Sequence, residues 1–137
     1  MSAHTSTVHV LRDQMVRMRD GVHLATDVYL PGDEAKRQAL PVIMERTPYD
    51  KQGTSRSEIT LADPGPITRE SLARYFAAHG YAVVMQDCRG RYKSEGTFTK
   101  YLDEANDGLD TMAWLLEQPW CNGSVGTMGL SYGAHTQ

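Results

Sequence analysis

The stretch Val125-Gly126-Thr127-Met128-Gly129-Leu130-Ser131-Tyr132-Gly133 decides the fold of this chain, because it reads as a short strand over 125–130 that runs into Gly-x-Ser-x-Gly. A serine at the apex of a tight strand-to-helix turn needs small neighbours, and glycines at 129 and 133 remove side chains that would collide there. The pattern therefore predicts that a sharp turn presents Ser131 at the end of a strand.

This turn resembles the nucleophile elbow of α/β-hydrolases, which makes Ser131 the candidate nucleophile. A serine nucleophile needs a general base, and the α/β-hydrolase order along the chain is serine, then acid, then histidine. Four histidines precede Ser131, and the fifth follows on the helix that leaves the turn, where its ring cannot easily reach the serine hydroxyl. They are His4, His9, His23, His79 and His135. We expect none of them to be the base, and we expect the triad acid and histidine to lie outside this chain.

Strand and helix patterns alternate upstream of the turn. Segments 16–18 and 24–30 flank Asp20-Gly21, which is a strong hairpin signal. Apolar runs at 40–45 and 81–85 have the length and composition of strands buried on both faces. Two helices are predicted between the strands, one capped by Thr68 and stopped by Gly80. Their apolar positions are Leu72, Tyr75, Phe76 and His79 in the first helix, and Leu109, Met112, Ala113 and Leu116 in the second.

This alternation predicts an α/β fold, with a mostly parallel sheet and helices on both faces. The order of hairpin, strand, helix, strand, helix, strand and turn corresponds to the N-terminal half of an α/β-hydrolase fold. We expect residues 1–137 to form a single, incomplete domain. Two long connections, 47–66 and 87–96, leave central strands at their carboxyl ends, which is the edge where open α/β sheets bind ligands.

Composition excludes several other classes of function. A net charge of −3 with scattered basic residues argues against nucleic-acid binding. The apolar run 81–85 is too short to span a membrane, and the N-terminus lacks the pattern of an export signal, so we expect a cytoplasmic protein. Cys88 and Cys121 are expected to be free thiols. Neither a metal-type ligand spacing nor Gly-x-Gly-x-x-Gly occurs, and we expect no cofactor.

Four ordered blocks, with an opening Met18-Arg19-Asp20-Gly21-Val22, resemble the X-prolyl dipeptidyl-peptidase, cocaine esterase and α-amino-acid ester hydrolase family over residues 15–137. The blocks are Thr47-Pro48-Tyr49-Asp50-Lys51, Asp87-x-Arg89-Gly90-x-x-x-Ser94-Glu95-Gly96, Gln118-Pro119-Trp120-Cys121-Asn122-Gly123 and Gly129-x-Ser131-Tyr132-Gly133. The resemblance implies a serine hydrolase of small esters or peptides that uses an acyl-serine intermediate. It also implies a helical cap and a C-terminal jelly-roll domain, neither of which we find in this chain.

The resemblance assigns the nucleophile to Ser131 and the oxyanion hole to the Tyr49 hydroxyl and the Tyr132 backbone N–H. An alternative for Tyr49 is a packed side chain whose hydroxyl satisfies the hydrogen-bonding groups of a neighbouring loop. For Asp87, Arg89, Ser94 and Glu95 we expect a role in holding their loop by hydrogen bonds to the backbone. The alternative for the whole chain is a truncated, non-catalytic fragment or interaction module. Ester or amide preference and oligomeric state are left open.

Overall fold

The computed structural model describes residues 7–32, 38–56 and 59–137, and these residues form seven strands and three helices. In chain order they are β1 Val8–Arg17, β2 His23–Pro31, β3 Leu40–Thr47, β4 Thr54–Ser55, β5 Ile67–Thr68, α1 Arg69–Ala78, β6 Ala82–Asp87, α2 Glu104–Leu116, β7 Cys121–Thr127 and α3 Tyr132–His135.

Five of these strands form one sheet in the order β1-β2-β6-β3-β7. The opening hairpin pairs β1 with β2, and β2 is antiparallel to β6. β3 lies between β6 and β7 and is parallel to both. β4 and β5 form a separate two-stranded pair inside the long connection after β3, where the sequence predicted no element. The α/β fold is therefore confirmed, with a mixed sheet in which two of the four strand pairings are parallel instead of the mostly parallel sheet predicted.

Helices cover both faces of the sheet, as predicted. On β6, Val83 and Met85 pack with Ala73 and Ala77 of α1. The alternating positions Ala82 and Val84 belong to the opposite cluster, which includes α2 and both tryptophans of the chain. Successive side chains of a strand point to opposite faces, so β6 separates two apolar layers.

The local signals at both ends of α1 are confirmed. Thr68 caps the helix, since its side chain accepts a hydrogen bond from the backbone N–H of Ser71. Gly80 follows the helix at φ +93°, a conformation that favours glycine. The face that α1 buries differs in part from the prediction, because Tyr75 is 59% exposed while Ala73 and Ala77 are fully buried.

The predicted apolar face of α2 is wrong in part, although Met112 does pack against the core. Leu109 and Leu116 are 64% and 52% exposed. Of the four buried residues of α2, only Leu115 is apolar; the others are Glu104, Asp107 and Thr111. The sheet beneath presents polar side chains, and buried polar groups need hydrogen-bonding partners, so α2 turns its polar side inward.

The strand before the serine turn begins and ends earlier than predicted. β7 starts at Cys121, because Leu40 of β3 pairs with that residue. It ends at Thr127, since Gly129 at φ +151° departs from strand geometry. β7 is an edge strand of the sheet among the residues described.

Both cysteines are free. Cys88 lies buried just after β6, and its thiol donates to a carboxylate oxygen of Glu104 at 3.8 Å. Burial raises the pKa of the Cys88 thiol well above its usual value. Within the described ranges, no helix is long and apolar enough to cross a bilayer, and no group of three or more His, Cys, Asp or Glu could hold a metal ion.

Candidate active site

Ser131 lies at the apex of a strained turn between β7 and α3, with φ 58° and ψ −119°. A Cβ atom on Gly129 would lie 2.6 Å from the backbone carbonyl carbon and oxygen of Gly133, so only glycine fits there. Gly133 itself has more room than predicted. The nearest heavy atom to a Cβ at that position would be 3.8 Å away, which is an ordinary contact. Of the two predicted collisions, only the one at Gly129 is present.

The hydroxyl of Tyr49 lies between Ser131 and Tyr132, the two residues that the family resemblance groups with it. It donates to Ser131 Oγ at 3.3 Å and accepts from the Tyr132 backbone N–H at 3.3 Å. Tyr49 comes from the loop after β3, and Ser131 from the turn after β7. Because β3 and β7 are neighbours in the sheet, their carboxyl ends bring all three residues together.

This arrangement gives Ser131 two adjacent hydrogen-bond donors, one phenolic and one from the backbone. The phenol donates to Ser131 Oγ and the backbone N–H donates to the phenol oxygen, so both donors lie close to the place where an acyl oxygen would gain negative charge if Ser131 attacked the acyl carbon. Donors fixed in advance around such an oxygen stabilise the charged state. The Tyr49 side chain is 44% exposed.

Tyr132 is anchored by its own side chain. Its hydroxyl donates to Glu104 at 3.1 Å and accepts from the Tyr101 backbone N–H at 2.8 Å. Burial raises the pKa of Tyr132 to about 12, so the phenol stays protonated near neutral pH. The ring therefore fixes the residue whose backbone N–H points at Tyr49.

A cavity of about 350 Å³ opens beside the serine. Its lining residues are Tyr49, Thr54, Arg56, Arg69, Leu130 and Ser131. Arg69 is 5% exposed and pairs with Glu45 at 3.0 Å. Its Nη1 also donates to the Thr54 carbonyl at 2.9 Å, which holds the wall of the cavity in place.

The loops after β3 and β6 are tied together at Asp87. Its carboxylate accepts the backbone N–H of Lys51 at 2.8 Å and that of Lys93 at 3.3 Å. Burial raises the pKa of Asp87. Ser94 donates to the Asp87 carbonyl at 2.6 Å, and Glu95 accepts the His23 backbone N–H at 2.8 Å. These three residues make the loop-holding contacts that the sequence predicted.

Arg89 differs from that prediction, because its guanidinium bonds to carboxylates instead of the backbone. It lies 2.7 Å from both Asp20 and Asp107. The first belongs to the turn of the opening hairpin and the second to the first turn of α2. Arg89 therefore joins two elements that are distant in sequence.

In the part of the chain that the structure describes, no histidine ring is hydrogen-bonded to Ser131. The ring of His135 packs against Tyr101, with centroids 4.4 Å apart. His23 contacts Glu95, and His79 contacts the Tyr75 carbonyl. His4 lies outside the described residues.

Sequence reasoning missed a buried ionic cluster next to the Tyr49 loop. Asp27, fully buried in β2, lies 2.9 Å from the ammonium of Lys51. Arg12 and Asp13 of β1 also contact Asp27, through a guanidinium and a backbone N–H respectively. The sequence did contain one signal of this cluster, the aspartate inside the apolar segment 24–30. A charge that is buried in a strand needs partners, so this aspartate indicates a nearby cation.

The sheet order, the two helical layers and the turned serine define part of an α/β-hydrolase fold. The family model of X-Pro dipeptidyl-peptidase (S15 family) matches residues 20–137. The chain therefore belongs to the X-Pro dipeptidyl-peptidase family, S15.

Individual relatives support this membership. Cocaine esterase of Rhodococcus sp. (strain MB1 Bresler) is 41% identical over 128 residues, which are 93% of this chain and 20% of that protein. An α-amino acid ester hydrolase structure is 32% identical with a TM-score of 0.72. An aminopeptidase structure from a marine sediment Thaumarchaeota archaeon is 30% identical with a TM-score of 0.71. Each structure is matched by 99% of this chain, which covers 23% of that protein. The chain thus spans about a fifth of its relatives, which are hydrolases of esters or peptides.

Proposed function

We propose that this chain is the nucleophile-bearing segment of a serine hydrolase of the X-prolyl dipeptidyl-peptidase or acyl esterase type, acting on ester or amide bonds of small substrates. The observation that carries the proposal is the position of the Tyr49 hydroxyl, 3.3 Å from both Ser131 Oγ and the Tyr132 backbone nitrogen. Family membership supports the same reaction class.

In the proposed mechanism, Ser131 Oγ attacks the acyl carbon and its proton passes to a histidine base. The carbonyl oxygen becomes an oxyanion that accepts hydrogen bonds from Tyr49 and the Tyr132 N–H. Collapse of this intermediate breaks the bond to the alcohol or amine, which leaves with the proton from the histidine. Water then attacks the acyl-serine by the same route in reverse, which releases the acid and restores Ser131.

The histidine base and its acid partner are proposed to come from sequence outside residues 1–137, with these residues forming one incomplete domain. No histidine ring in the described ranges contacts Ser131, and removing the base of a triad lowers the rate by several orders of magnitude. We therefore propose that the 137-residue polypeptide, expressed alone, hydrolyses esters slowly or not at all.

A non-catalytic interaction module is the second candidate, and one observation favours it. Five of the seven residues of the edge strand β7 are exposed, and each is polar or glycine: Asn122, Gly123, Ser124, Gly126 and Thr127. An edge strand offers unpaired backbone groups to another strand. Such pairing could be the role of an isolated fragment.

The first test labels an extract of the native source with a fluorophosphonate probe and measures the intact mass of the protein that carries the Ser131 peptide. We expect Ser131 to be labelled on a polypeptide several times heavier than 15.3 kDa. An unlabelled Ser131 peptide found only in a species of 15.3 kDa would favour the interaction module.

The second test substitutes the serine in the longest polypeptide that the gene encodes. Ser131→Ala removes the nucleophile, so we expect hydrolysis of a p-nitrophenyl ester to fall by a factor of about 10⁴ or more. Ser124→Ala is the matched control, because Ser124 is exposed on β7, and it should leave the rate unchanged. Full hydrolysis by the Ser131→Ala protein would contradict the proposal.

A further inference from the structure

A bulge in β1 brings two consecutive charged residues into one buried cluster. The pairing of β1 with β2 shifts between Leu11 and Gln14, and Asp13 has φ 47°. In a regular strand, successive side chains point to opposite faces, whereas a bulge can redirect one of them. Here Arg12 Nη1 lies 3.1 Å from Asp27 Oδ2, and the Asp13 backbone N–H donates to Asp27 Oδ1 at 2.9 Å.

Lys51 is the cation at the centre of this cluster and is 1% exposed. Its Nζ lies 2.8 Å from Asp13 Oδ1 and 2.9 Å from Asp27 Oδ1. Burial opposes the charged form of Lys51, but the hydrogen bonds to Asp13 and Asp27 outweigh burial and raise the pKa of the ammonium. The Lys51 backbone N–H is held separately by Asp87 at 2.8 Å. Both ends of the residue are therefore fixed.

The ring of Tyr49, two residues earlier, is held much less firmly by its own contacts. The side chain is 44% exposed, and its hydroxyl bonds only to Ser131 and Tyr132 among the described residues. The position of the phenol therefore depends on the backbone of its loop. Asp50, between Tyr49 and Lys51, has φ 77°, so the loop turns sharply between the ring and the buried anchor.

We propose that Lys51 is a positioning residue: its ammonium, bound between Asp13 and Asp27, fixes the loop so that the Tyr49 hydroxyl stands within reach of the oxyanion at Ser131. The inference rests on the proposed function of Tyr49 as an oxyanion donor.

The chemistry of the cluster favours positioning over simple filling of space. An apolar side chain of similar length would fill the same volume without the desolvation cost of a buried charge. The ammonium instead makes directional bonds to two carboxylates that approach from β1 and β2. These bonds fix the loop relative to the sheet, and displacement of a catalytic group by about 1 Å can lower a rate about 100-fold.

The test is a double-mutant cycle in the longest polypeptide that the gene encodes, with hydrolysis of a p-nitrophenyl ester as the readout. We expect Tyr49→Phe to lower kcat about 100-fold to 1,000-fold, as loss of an oxyanion donor does. Lys51→Met should lower kcat about 10-fold to 100-fold, with KM changed less than about threefold. In the Tyr49→Phe background, Lys51→Met should lower kcat by less than about twofold further, since the donor it positions is gone.

Lys93→Met is the matched control. Lys93 has an exposed side chain and lies outside the Tyr49 loop, and its ammonium is 2.9 Å from the other carboxylate oxygen of Asp13. The Lys93→Met substitution should leave kcat unchanged. Should Lys51→Met fail to fold, Asp13→Asn removes one of the two carboxylates at a half-exposed side chain and should show the same dependence on Tyr49.

Equal losses of kcat from Lys51→Met in the Tyr49 and Tyr49→Phe backgrounds would overturn the inference, because a general loss of stability acts in both. The proposed function of Tyr49 would be overturned if Tyr49→Phe alone left kcat unchanged while Ser131→Ala abolished hydrolysis. That result would also overturn the inference about Lys51, which depends on the function of Tyr49.

Discussion

Ser131 occupies a backbone conformation, φ 58° and ψ −119°, that residues with a Cβ atom seldom adopt. Such strain costs about 1–3 kcal/mol and persists only where the surrounding structure enforces it. Here β7 delivers the chain, α3 starts at the next residue, and Gly129 lets the two backbones approach. The result is an exposed hydroxyl at the end of a strand.

Gly129→Ala should disrupt this turn. The added Cβ would meet the Gly133 backbone at 2.6 Å, and φ +151° is strained for alanine. We expect the free energy of unfolding to fall by about 2 kcal/mol or more and fluorophosphonate labelling of Ser131 to be lost. Urea unfolding and labelling rates measure the two effects.

Gly133→Ala is the control for that change, since its Cβ would make ordinary contacts at 3.8 Å. Stability should stay within about 0.5 kcal/mol of the parent protein. Equal damage from both substitutions would show that the close approach at Gly129 does not govern the turn.

At the scale of elements, α2 meets the sheet through a buried polar layer. Arg46 of β3 lies 3.2 Å from the Glu104 carboxylate and donates to Gln86 at 2.8 Å. Gln86 in turn donates to Thr111 at 3.0 Å and to Thr26 at 3.1 Å. The layer joins three strands to one face of the helix, which explains why that face is polar.

Arg46→Met should destabilise the protein by about 3–5 kcal/mol, because it leaves the Glu104 carboxylate buried without its cation. The free energy of unfolding in urea measures the loss. Arg74→Met is the control, because Arg74 pairs with Glu70 one helical turn away at a side chain that is 44% exposed. That variant should change stability by less than about 0.5 kcal/mol. A loss below about 1 kcal/mol for Arg46→Met would contradict the role assigned to the layer.

The sequence predicts the elements better than their orientations. Periodicity located both α1 and α2, and the Asp20-Gly21 turn located the hairpin. The buried face of α2 was not predictable from Leu109 and Leu116, because the polar side chains beneath the helix come from strands far away in sequence. The proximity of Tyr49 and Ser131 was expected only from the family resemblance.

The buried contacts of Lys51 could not be predicted from the sequence motifs of the site. Its partner Asp13 reaches it only through the bulge in β1, and a bulge shifts the alternation on which strand prediction relies. From the sequence, Asp27 alone indicated a buried charge, and nothing indicated which cation pairs with it.

For the molecule as a whole, the exposed edge of β7 and the exposed Leu109 and Leu116 of α2 leave apolar and backbone groups without cover among the described residues. We expect the 137-residue polypeptide, expressed alone, to self-associate as its concentration rises, which light scattering would detect. Ser124→Lys places a charge on the β7 edge and should reduce the association. A monodisperse monomer at every concentration, with and without the lysine, would contradict this expectation.

The neighbouring positions of β3 and β7 in the sheet also govern when the site can form during synthesis. Tyr49 and Ser131 are 82 positions apart, and the ribosome releases the tyrosine loop long before the serine. The hairpin, β3, α1 and β6 can pair while Ser131 is still unmade, since domains emerge from their amino end and local contacts form first. A nascent chain therefore carries Tyr49 and the anchors of its loop before Ser131 is added. The order of translation therefore adds Ser131 only after most of the sheet that orients it has been made.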